Sequence, residues 1–271
     1  MKTDDQAAIC YDTPNSKNQN RKTTNMAERN YLKPPKRLMR HVGRAIADFE
    51  MIKDGDRILL GVSGGKDSLS LLLILHHLSQ YAPVKFQLGA VTVDPMIEGF
   101  DPSPLKDYLK QLGIPYFYQQ QAILEQAEGS MDGDSFCSFC SRMKRGILYN
   151  TARKEGYNIL ALAQHLDDLA ESFLMSAFHN GKLQTMKANY TIGAGDLRVI
   201  RPLVYARETL TTAYAKAAGL PVIPDSCPAC FSMPTQREHM KQLLAQEEQH
   251  NKSLFSSLLK TLKPLMAVDH T

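Results

Sequence analysis

Long apolar runs are absent from this sequence of 271 residues. The run that includes Leu71 to Ile74 is far shorter than the roughly 20 apolar residues that a helix needs to cross a bilayer. The polar stretch MKTDDQAAIC at the start also lacks the apolar segment of a signal peptide. From these absences we expect a cytoplasmic protein with no membrane partner.

Cysteine is scarce, and four of the five cysteines lie in two C-x-x-C pairs. Cys137 and Cys140 form CSFC, Cys227 and Cys230 form CPAC, and Cys10 stands alone. Without secretory features, such pairs indicate a metal or redox site rather than a disulfide framework. Zinc would use all four paired thiolates, whereas an iron–sulfur cluster held by three would leave one iron open. A persulfide relay without metal is the third alternative.

Acidic residues are missing from one basic stretch, KPPKRLMRHVGR, although the whole chain carries a formal charge of only +4. The hydrophobic share of 43% and the charged share of 22% are typical of a globular protein and exclude disorder of the whole chain. The basic residues of the stretch are Lys33, Lys36, Arg37, Arg40 and Arg44. They form either a contact for a polyanion or the solvated face of a helix.

Strand-like and helix-like segments alternate from Asp56 to Leu220. The predicted strands are RILLGV, FQLGAVTVD, IPYFYQQ, YNILALAQ and LRVIRPLVY. Helical periodicity fills the intervals between them. The alternation predicts an α/β fold with an open parallel sheet flanked by helices.

Composition divides the chain into four predicted segments. We expect a disordered tail over residues 1–32, a basic N-terminal helix over 33–55, an α/β domain over 56–225 and a helical C-terminal segment over 226–271. We expect the C-terminal helical pattern to break at Pro264.

The stretch SGGKDS follows the first predicted strand and opens a helix. At the carboxyl edge of a parallel sheet, backbone N–H groups at a helix N-terminus bind anions. Gly64 and Gly65 let the backbone approach a ligand, Ser63 and Ser68 offer hydroxyl groups, and Lys66 adds charge. The sequence therefore predicts a phosphate-binding loop.

A carboxylate, Asp67, lies inside this predicted phosphate loop. It is tolerable there when it faces Mg²⁺ or a reacting group, because the metal reverses the local electrostatics; alternatively it caps the helix. Asp167 and Asp168 begin a later predicted helix and either supply a Mg²⁺ ligand or complement the helix dipole. His165 is either a phosphate contact or a residue at the edge of the core.

The pattern S-G-G-x-D-S resembles the PP-loop of the ATP pyrophosphatases, which cleave ATP to AMP and pyrophosphate. Over most of the chain, from about Leu32, longer motifs resemble the tRNA 2-thiocytidine synthetases, a family of PP-loop sulfurtransferases. These motifs are VSGGKDSL, CSFCSRMKRGILYNTA, QHLDDLAES, FHNGKLQTMKANY, VIRPLVYARE and PVIPDSCPAC.

The resemblance implies a PP-loop ATPase fold of the Rossmann-like kind and an ATP-dependent tRNA sulfurtransferase. Such an enzyme adenylates a cytidine, at tRNA position 32, and replaces its C2 oxygen with sulfur. A [4Fe–4S] cluster carries the sulfur, and we carry its ligands over to Cys137, Cys140 and Cys227. Together with Asp67, these cysteines are the predicted catalytic residues.

ATP and Mg²⁺ are the other implied cofactors, with Asp168 as the predicted Mg²⁺ ligand. The predicted nucleotide contacts are Ser63, Gly64, Gly65, Lys66, Asp67, Ser68, Asp94, His165 and Asp168. The predicted contacts to the RNA backbone are Arg37, Arg40, Arg44, Lys144, Arg145, Lys182 and Lys187. The implied partners are tRNA and a sulfur donor such as a cysteine desulfurase, and a homodimer is left open.

Three other functions compete with this interpretation. One is an amide-forming PP-loop synthetase that adenylates a small carboxylate and uses the cysteines for structural zinc. Another is thiolation of a different tRNA base. The third, an RNA-binding iron–sulfur protein without catalysis, is disfavoured because the complete loop and Asp168 remain.

Overall fold

A computed structural model of the protein describes residues 31–97, 99–123, 136–193, 195–224 and 235–267, with only the backbone of 136–138. Almost all of the predicted disordered tail lies outside these residues. Among the helices of the described ranges, none combines the length and the apolar character needed to span a membrane.

Strands and helices alternate along the described chain, as predicted. The strands are β1 (Arg57–Gly61), β2 (Gln87–Asp94), β3 (Tyr116–Gln120), β4 (Ile159–Ala161), β5 (Asn189–Thr191) and β6 (Arg198–Ile200). The helices are α1 (Lys36–Asp48), α2 (Lys66–Tyr81), α3 (Ser103–Gln111), α4 (Phe136–Lys154), α5 (Leu166–Asn180), α6 (Glu208–Ala217), α7 (Gln236–His250) and α8 (Leu254–Met266).

The strands form one open sheet in the order β3-β2-β1-β4-β6-β5. Strands β1, β2, β3, β4 and β6 pair in parallel, and β5 pairs antiparallel with β6. The predicted open parallel sheet is therefore confirmed. Strand β1 lies between β2 and β4, so the strand order changes direction there, and in such sheets the ligand crevice lies beyond the carboxyl ends at this point.

The end of the sheet differs from the prediction in two ways. Strand β5 was not predicted, because its residues Asn189–Thr191 are half-buried or exposed and contain no apolar run. The segment LRVIRPLVY was predicted as one strand, but only Arg198–Ile200 is extended in the sheet. Pro202 lacks an N–H group for a strand pairing, and the chain turns from there to Ala206.

The predicted break of the C-terminal helical region at Pro264 is wrong. The break lies at Asn251, whose extended backbone (φ −124°, ψ 92°) ends α7, and Pro264 lies inside α8. Pro264 is tolerated because it lies in the last turn, where its missing N–H costs a single helical hydrogen bond.

One apolar core joins the central strands to α2 and to both C-terminal helices. Helix α2 buries every residue from Ser68 to Leu75 because it packs between the sheet and α6. Leu244 of α7 and Phe255 and Leu262 of α8 belong to the same apolar cluster. A second, smaller cluster includes Leu148 of α4 and covers the opposite face of the sheet. The division of the chain at residue 226 stays a prediction.

Candidate functional site

The β1–α2 loop has the geometry of an anion site. Gly64 has a positive φ of 89°, and a Cβ atom added there would lie 2.9 Å from Cδ1 of Ile223, so the position requires glycine. Gly65 is the N-cap of α2, and no described side chain caps this helix. The Ser63 hydroxyl accepts a hydrogen bond from the Gly65 N–H at 3.3 Å. The start of α2 thus directs N–H groups at the crevice beyond β1.

Asp67 lies in the first turn of α2 but does not cap it. Its carboxylate accepts hydrogen bonds from the Lys66 ammonium at 2.8 Å and from the Thr211 hydroxyl of α6. The Nε2 atom of His165 lies 3.7 Å from the same carboxylate. Asp67 therefore belongs to a polar cluster between the loop and α6, and the interpretation of this residue as a helix cap is wrong.

Glu208, at the start of α6, completes this cluster and was not predicted from the sequence. Lys66 Nζ donates to its carboxylate at 2.8 Å, and Lys241 Nζ of α7 lies 3.0 Å from it. Burial alone would raise the pKa of Glu208, but the two ammonium groups outweigh burial and lower this pKa to about 2. Burial alone would lower the pKa of Lys66, but its bonds to Asp67 and Glu208 raise it.

Three side chains of the cluster could hold a metal ion. One ligand atom each from Asp67, His165 and Glu208 lies within 4.8 Å of the other two. Mg²⁺ prefers oxygen ligands, so the two carboxylates fit this ion and the imidazole does not. The Lys66 ammonium bridges the same two carboxylates and supplies positive charge between them.

His165 and Asp168 together cap α5. The His165 Nδ1 atom accepts from the Asp168 N–H at 3.3 Å, and the Asp168 carboxylate accepts from the His165 N–H at 2.9 Å. The other Asp168 oxygen accepts from Arg237 of α7 at 3.2 Å. The geometry thus gives Asp168 a capping role, and its assignment to Mg²⁺ stays a prediction.

Asp167 and Arg207 join three helices beside the cluster. The Asp167 carboxylate accepts from Arg207 Nε at 3.0 Å and from the Glu208 N–H at 2.7 Å. Arg207 also makes a two-pronged pair with Glu248 of α7 at 2.7 and 2.9 Å. These bonds fix the starts of α5 and α6 and thereby the position of Glu208.

Asp94 is the last residue of β2 and lies at the same carboxyl edge as the loop. It is buried, and its carboxylate accepts from the Met96 N–H at 2.7 Å and from the Tyr118 hydroxyl. Burial and the Asp94 carboxylate raise the pKa of Tyr118. A contact of Asp94 with nucleotide stays a prediction.

The described residues include part of the predicted cysteine site. Cys137 and Cys140 lie in the first turns of α4, three residues apart, and Cys140 is buried. Because α4 follows β3 and leads into β4, its start lies at the carboxyl edge of the parallel sheet. The Cys137 side chain and residues Cys10, Cys227 and Cys230 lie outside what the structure describes, so the ligand set stays a prediction.

The predicted RNA contacts lie on three separate elements. Arg37, Arg40 and Arg44 are exposed on one side of α1, at helical spacing. On α4, Arg145 is exposed and Lys144 half-buried, and Lys182 is exposed beyond the end of α5. Lys187 is half-buried and donates to the Ala267 carbonyl at 2.5 Å.

Neither Glu208 nor Thr211 was predicted from the sequence as a site residue. The signal available for them was weak: the stretch YARETLTT places polar residues after a predicted strand, at the start of a helix. Their distance from Asp67 depends on how α2 and α6 pack, which periodicity does not reveal.

Comparison with known proteins places the chain in a family. The PP-loop domain family matches residues 35–248. The tRNA-cytidine(32) 2-sulfurtransferase of Pelobacter propionicus is 44% identical over 228 residues, which are 84% of this chain and 85% of that protein. The enzyme of the same name from Vibrio vulnificus (strain YJ016) is 41% identical over 223 residues, or 82% of this chain and 71% of that protein.

A solved structure shares the fold. The U34-tRNA thiolase NcsA from Methanococcus maripaludis, solved with its [4Fe–4S] cluster, superposes with a TM-score of 0.69 at 22% identity. The match covers 87% of this chain and 79% of that one.

Proposed function

We infer that this chain, which belongs to the PP-loop family and within it to the tRNA-cytidine(32) 2-sulfurtransferases, is an ATP-dependent enzyme that transfers sulfur to tRNA. The product is 2-thiocytidine at position 32. The observation that carries the proposal is the phosphate-binding geometry of the β1–α2 loop at the same sheet edge as the start of the cysteine helix α4. The proposal thus puts an adenylation site and a sulfur-carrying site at one edge of the sheet.

The first proposed step activates the base with ATP. The C2 oxygen of cytidine is a poor leaving group, so it attacks the α-phosphorus of ATP, forming one P–O bond as the bond to pyrophosphate breaks. The N–H groups at the start of α2 hold the phosphates, and Lys66 neutralises charge on them. Asp67 and Glu208 would hold Mg²⁺, which supplies charge neutralisation for the departing pyrophosphate.

The second proposed step exchanges AMP for sulfur. A C–S bond forms at C2 while the C–O bond to AMP breaks, giving 2-thiocytidine. Cys137, Cys140 and Cys227 would hold a [4Fe–4S] cluster, which supplies a carrier for the sulfur atom. Cys140 is buried, so its sulfur is shielded from water and from solvent oxidants. A donor such as a cysteine desulfurase provides the sulfur.

The proposed RNA interface uses the exposed arginines of α1 and the cations near α4 and α5. These charges would hold phosphates of the tRNA backbone and position it. A cytidine in the anticodon loop is single-stranded, so it can leave its stack and enter a pocket. A cytoplasmic location stays a prediction.

Mass spectrometry of tRNA nucleosides tests the proposal. Cells lacking this protein should lose 2-thiocytidine, and the wild-type gene should restore it whereas the Asp67→Asn gene should not. Unchanged 2-thiocytidine in the deletion would overturn the proposal. Loss of another thiolated nucleoside instead would support a different tRNA base.

Metal analysis separates the proposed enzyme from the amide-forming synthetase. Protein purified without oxygen should contain iron and acid-labile sulfide in about a 1:1 ratio if it holds a cluster. Zinc in place of iron, without sulfide, would support the synthetase.

A further inference from the structure

Arg201 is a buried cation for which the described residues provide no acidic partner. The residue is 5% exposed. Its Nε donates to the Gln164 side-chain oxygen at 2.9 Å, and its Nη1 donates to the Lys187 carbonyl at 2.6 Å. The guanidinium also lies 5.5 Å from the centre of the Tyr190 ring. All of these groups are neutral, whereas the half-buried Arg198 pairs with a carboxylate at 3.1 Å.

Arg201 lies at the carboxyl edge of the sheet, next to the candidate site. It directly follows β6, and its partner Gln164 lies in the segment that joins β4 to α5. The residue after Gln164 is His165, which approaches Asp67. The adjacent residues Gln164 and His165, in the segment between β4 and α5, thus link Arg201 to Asp67.

On its other side, Arg201 contacts Tyr190, which in turn contacts the cysteine helix α4. The hydroxyl of Tyr190 lies 3.4 Å from the hydroxyl of Tyr149 on α4. The same helix carries Cys137 and Cys140 in its first turns. Through Gln164 and Tyr190 the guanidinium is therefore linked to the segment that carries His165 and to the middle of α4.

A buried guanidinium without a counter-ion costs folding free energy, because burial removes the charge from water. Burial lowers the pKa of Arg201, which reflects the same cost. The cost is recovered when an anion binds. The guanidinium has five N–H groups, and Gln164, Lys187 and Tyr190 use at most three of them, so donors remain for a ligand.

We infer that Arg201 binds a phosphate group of a substrate. Its planar fork matches phosphate, and Gln164 and Tyr190 hold the plane in place before the ligand arrives. The inference rests on the proposed function, which brings two sources of phosphate to this edge: ATP and the tRNA backbone. Arg201 belongs to the motif VIRPLVYARE, whose sequence alone does not indicate a chemical role.

Binding measurements on the full-length variants Arg201→Gln and Arg201→Lys test the inference. ATP affinity is measured directly, and tRNA affinity is measured over a range of salt concentrations. Loss of the contact should lower the affinity for one of the two ligands roughly 10-fold or more in Arg201→Gln. The affinity should fall less in Arg201→Lys, which keeps the charge. Arg153→Gln is the matched control, because this arginine is exposed and pairs with Asp196.

The two sources of phosphate give different results. A contact with ATP weakens ATP binding and leaves the salt dependence of tRNA binding unchanged. A contact with the tRNA backbone leaves ATP binding unchanged and reduces the slope of log affinity against log salt by about one. Both outcomes support the inference.

Two results would overturn it. One is binding of both ligands within twofold of wild type by folded variants. The other is an equal loss for both ligands that tracks a lower melting temperature in both variants, which would make Arg201 a structural residue. Failure of the proposed function is distinguishable, because the wild-type protein would then release no pyrophosphate with tRNA present.

Discussion

The Lys66 ammonium lies 2.8 Å from the carboxylate of Glu208, a residue 142 positions later in the chain. The same ammonium lies 2.8 Å from Asp67, its neighbour in sequence. These two ion pairs hold the phosphate loop against the start of α6. A triphosphate that enters the loop must compete with the two carboxylates for Lys66 unless a divalent cation replaces the ammonium between them.

Glu208→Gln should remove part of the acid sensitivity of the fold. The pKa of Glu208 is about 2 in the folded chain against 4.5 as its ordinary value. Because the folded pKa is lowered, the stabilisation is complete above about pH 4.5 and is lost as the pH falls toward 2. We expect Glu208→Gln to be about 1 to 3 kcal/mol less stable at pH 7 and to lack this pH dependence.

Urea unfolding between pH 2 and 7 measures this difference. Glu247→Gln, an exposed change on α7, should follow the wild-type curve. Parallel curves for wild type and Glu208→Gln across this range would show that Lys66 and Lys241 do not hold the Glu208 charge in solution.

Asp67→Asn should abolish adenylation without loss of the fold. The amide keeps an acceptor for the Thr211 hydroxyl but removes the charge that faces Lys66 and the proposed Mg²⁺. We expect tRNA-dependent pyrophosphate release to fall by about 100-fold or more, with iron content and melting temperature near the wild-type values. Asp196→Asn, which alters an exposed ion pair, is the control. Pyrophosphate release at the wild-type rate would leave Asp67 with a structural role alone.

Local patterns predicted most of the fold, because buried strands and amphipathic helices are encoded within a few residues of one another. They failed where the signal was short, as in β5, or where position within a helix decides the outcome, as at Pro264. The phosphate loop was predictable because a single stretch, Ser63 to Ser68, contains all of it.

The rest of the site was not predictable, because it is assembled by packing. Glu208 and Thr211 reach Asp67 only through the contact between α2 and α6. Arg201 is notable only for the lack of an acidic neighbour among the described residues, a property of the fold that no stretch of sequence displays. The cap that Asp168 forms on α5 and its pairing with Arg237 of α7 are likewise visible only in the structure, and its assignment to Mg²⁺ stays a prediction.

Gly64→Ala should damage both the stability and the nucleotide affinity of the loop. The φ of 89° disfavours alanine, and the new Cβ would meet three Ile223 side-chain atoms at 2.9 to 3.1 Å. We expect a loss of about 1 to 3 kcal/mol in the free energy of unfolding and at least 10-fold weaker ATP binding.

Gly113→Ala is the matched control for this change. Gly113 also has a positive φ, 67°, but nothing lies within 4 Å of an added Cβ. It should cost only the backbone strain, about 1 kcal/mol, and leave ATP binding unchanged. Equal losses of ATP affinity in the two variants would refute the role of the Gly64 to Ile223 contact.

Cys137→Ala tests whether the thiols at the start of α4 hold a cluster or a structural zinc. As a predicted cluster ligand, Cys137 should be required for bound iron, acid-labile sulfide and the brown colour, and its loss should abolish thiolation. If Cys137 serves only as a cluster ligand, the cluster-free wild-type protein and the variant should have the same melting temperature. Cys10→Ala, in the N-terminal stretch, is the control and should keep the wild-type iron content and activity. A Cys137→Ala protein that still thiolates tRNA would separate sulfur transfer from this cysteine, whereas loss of one zinc per chain together with a large drop in melting temperature would favour the structural metal.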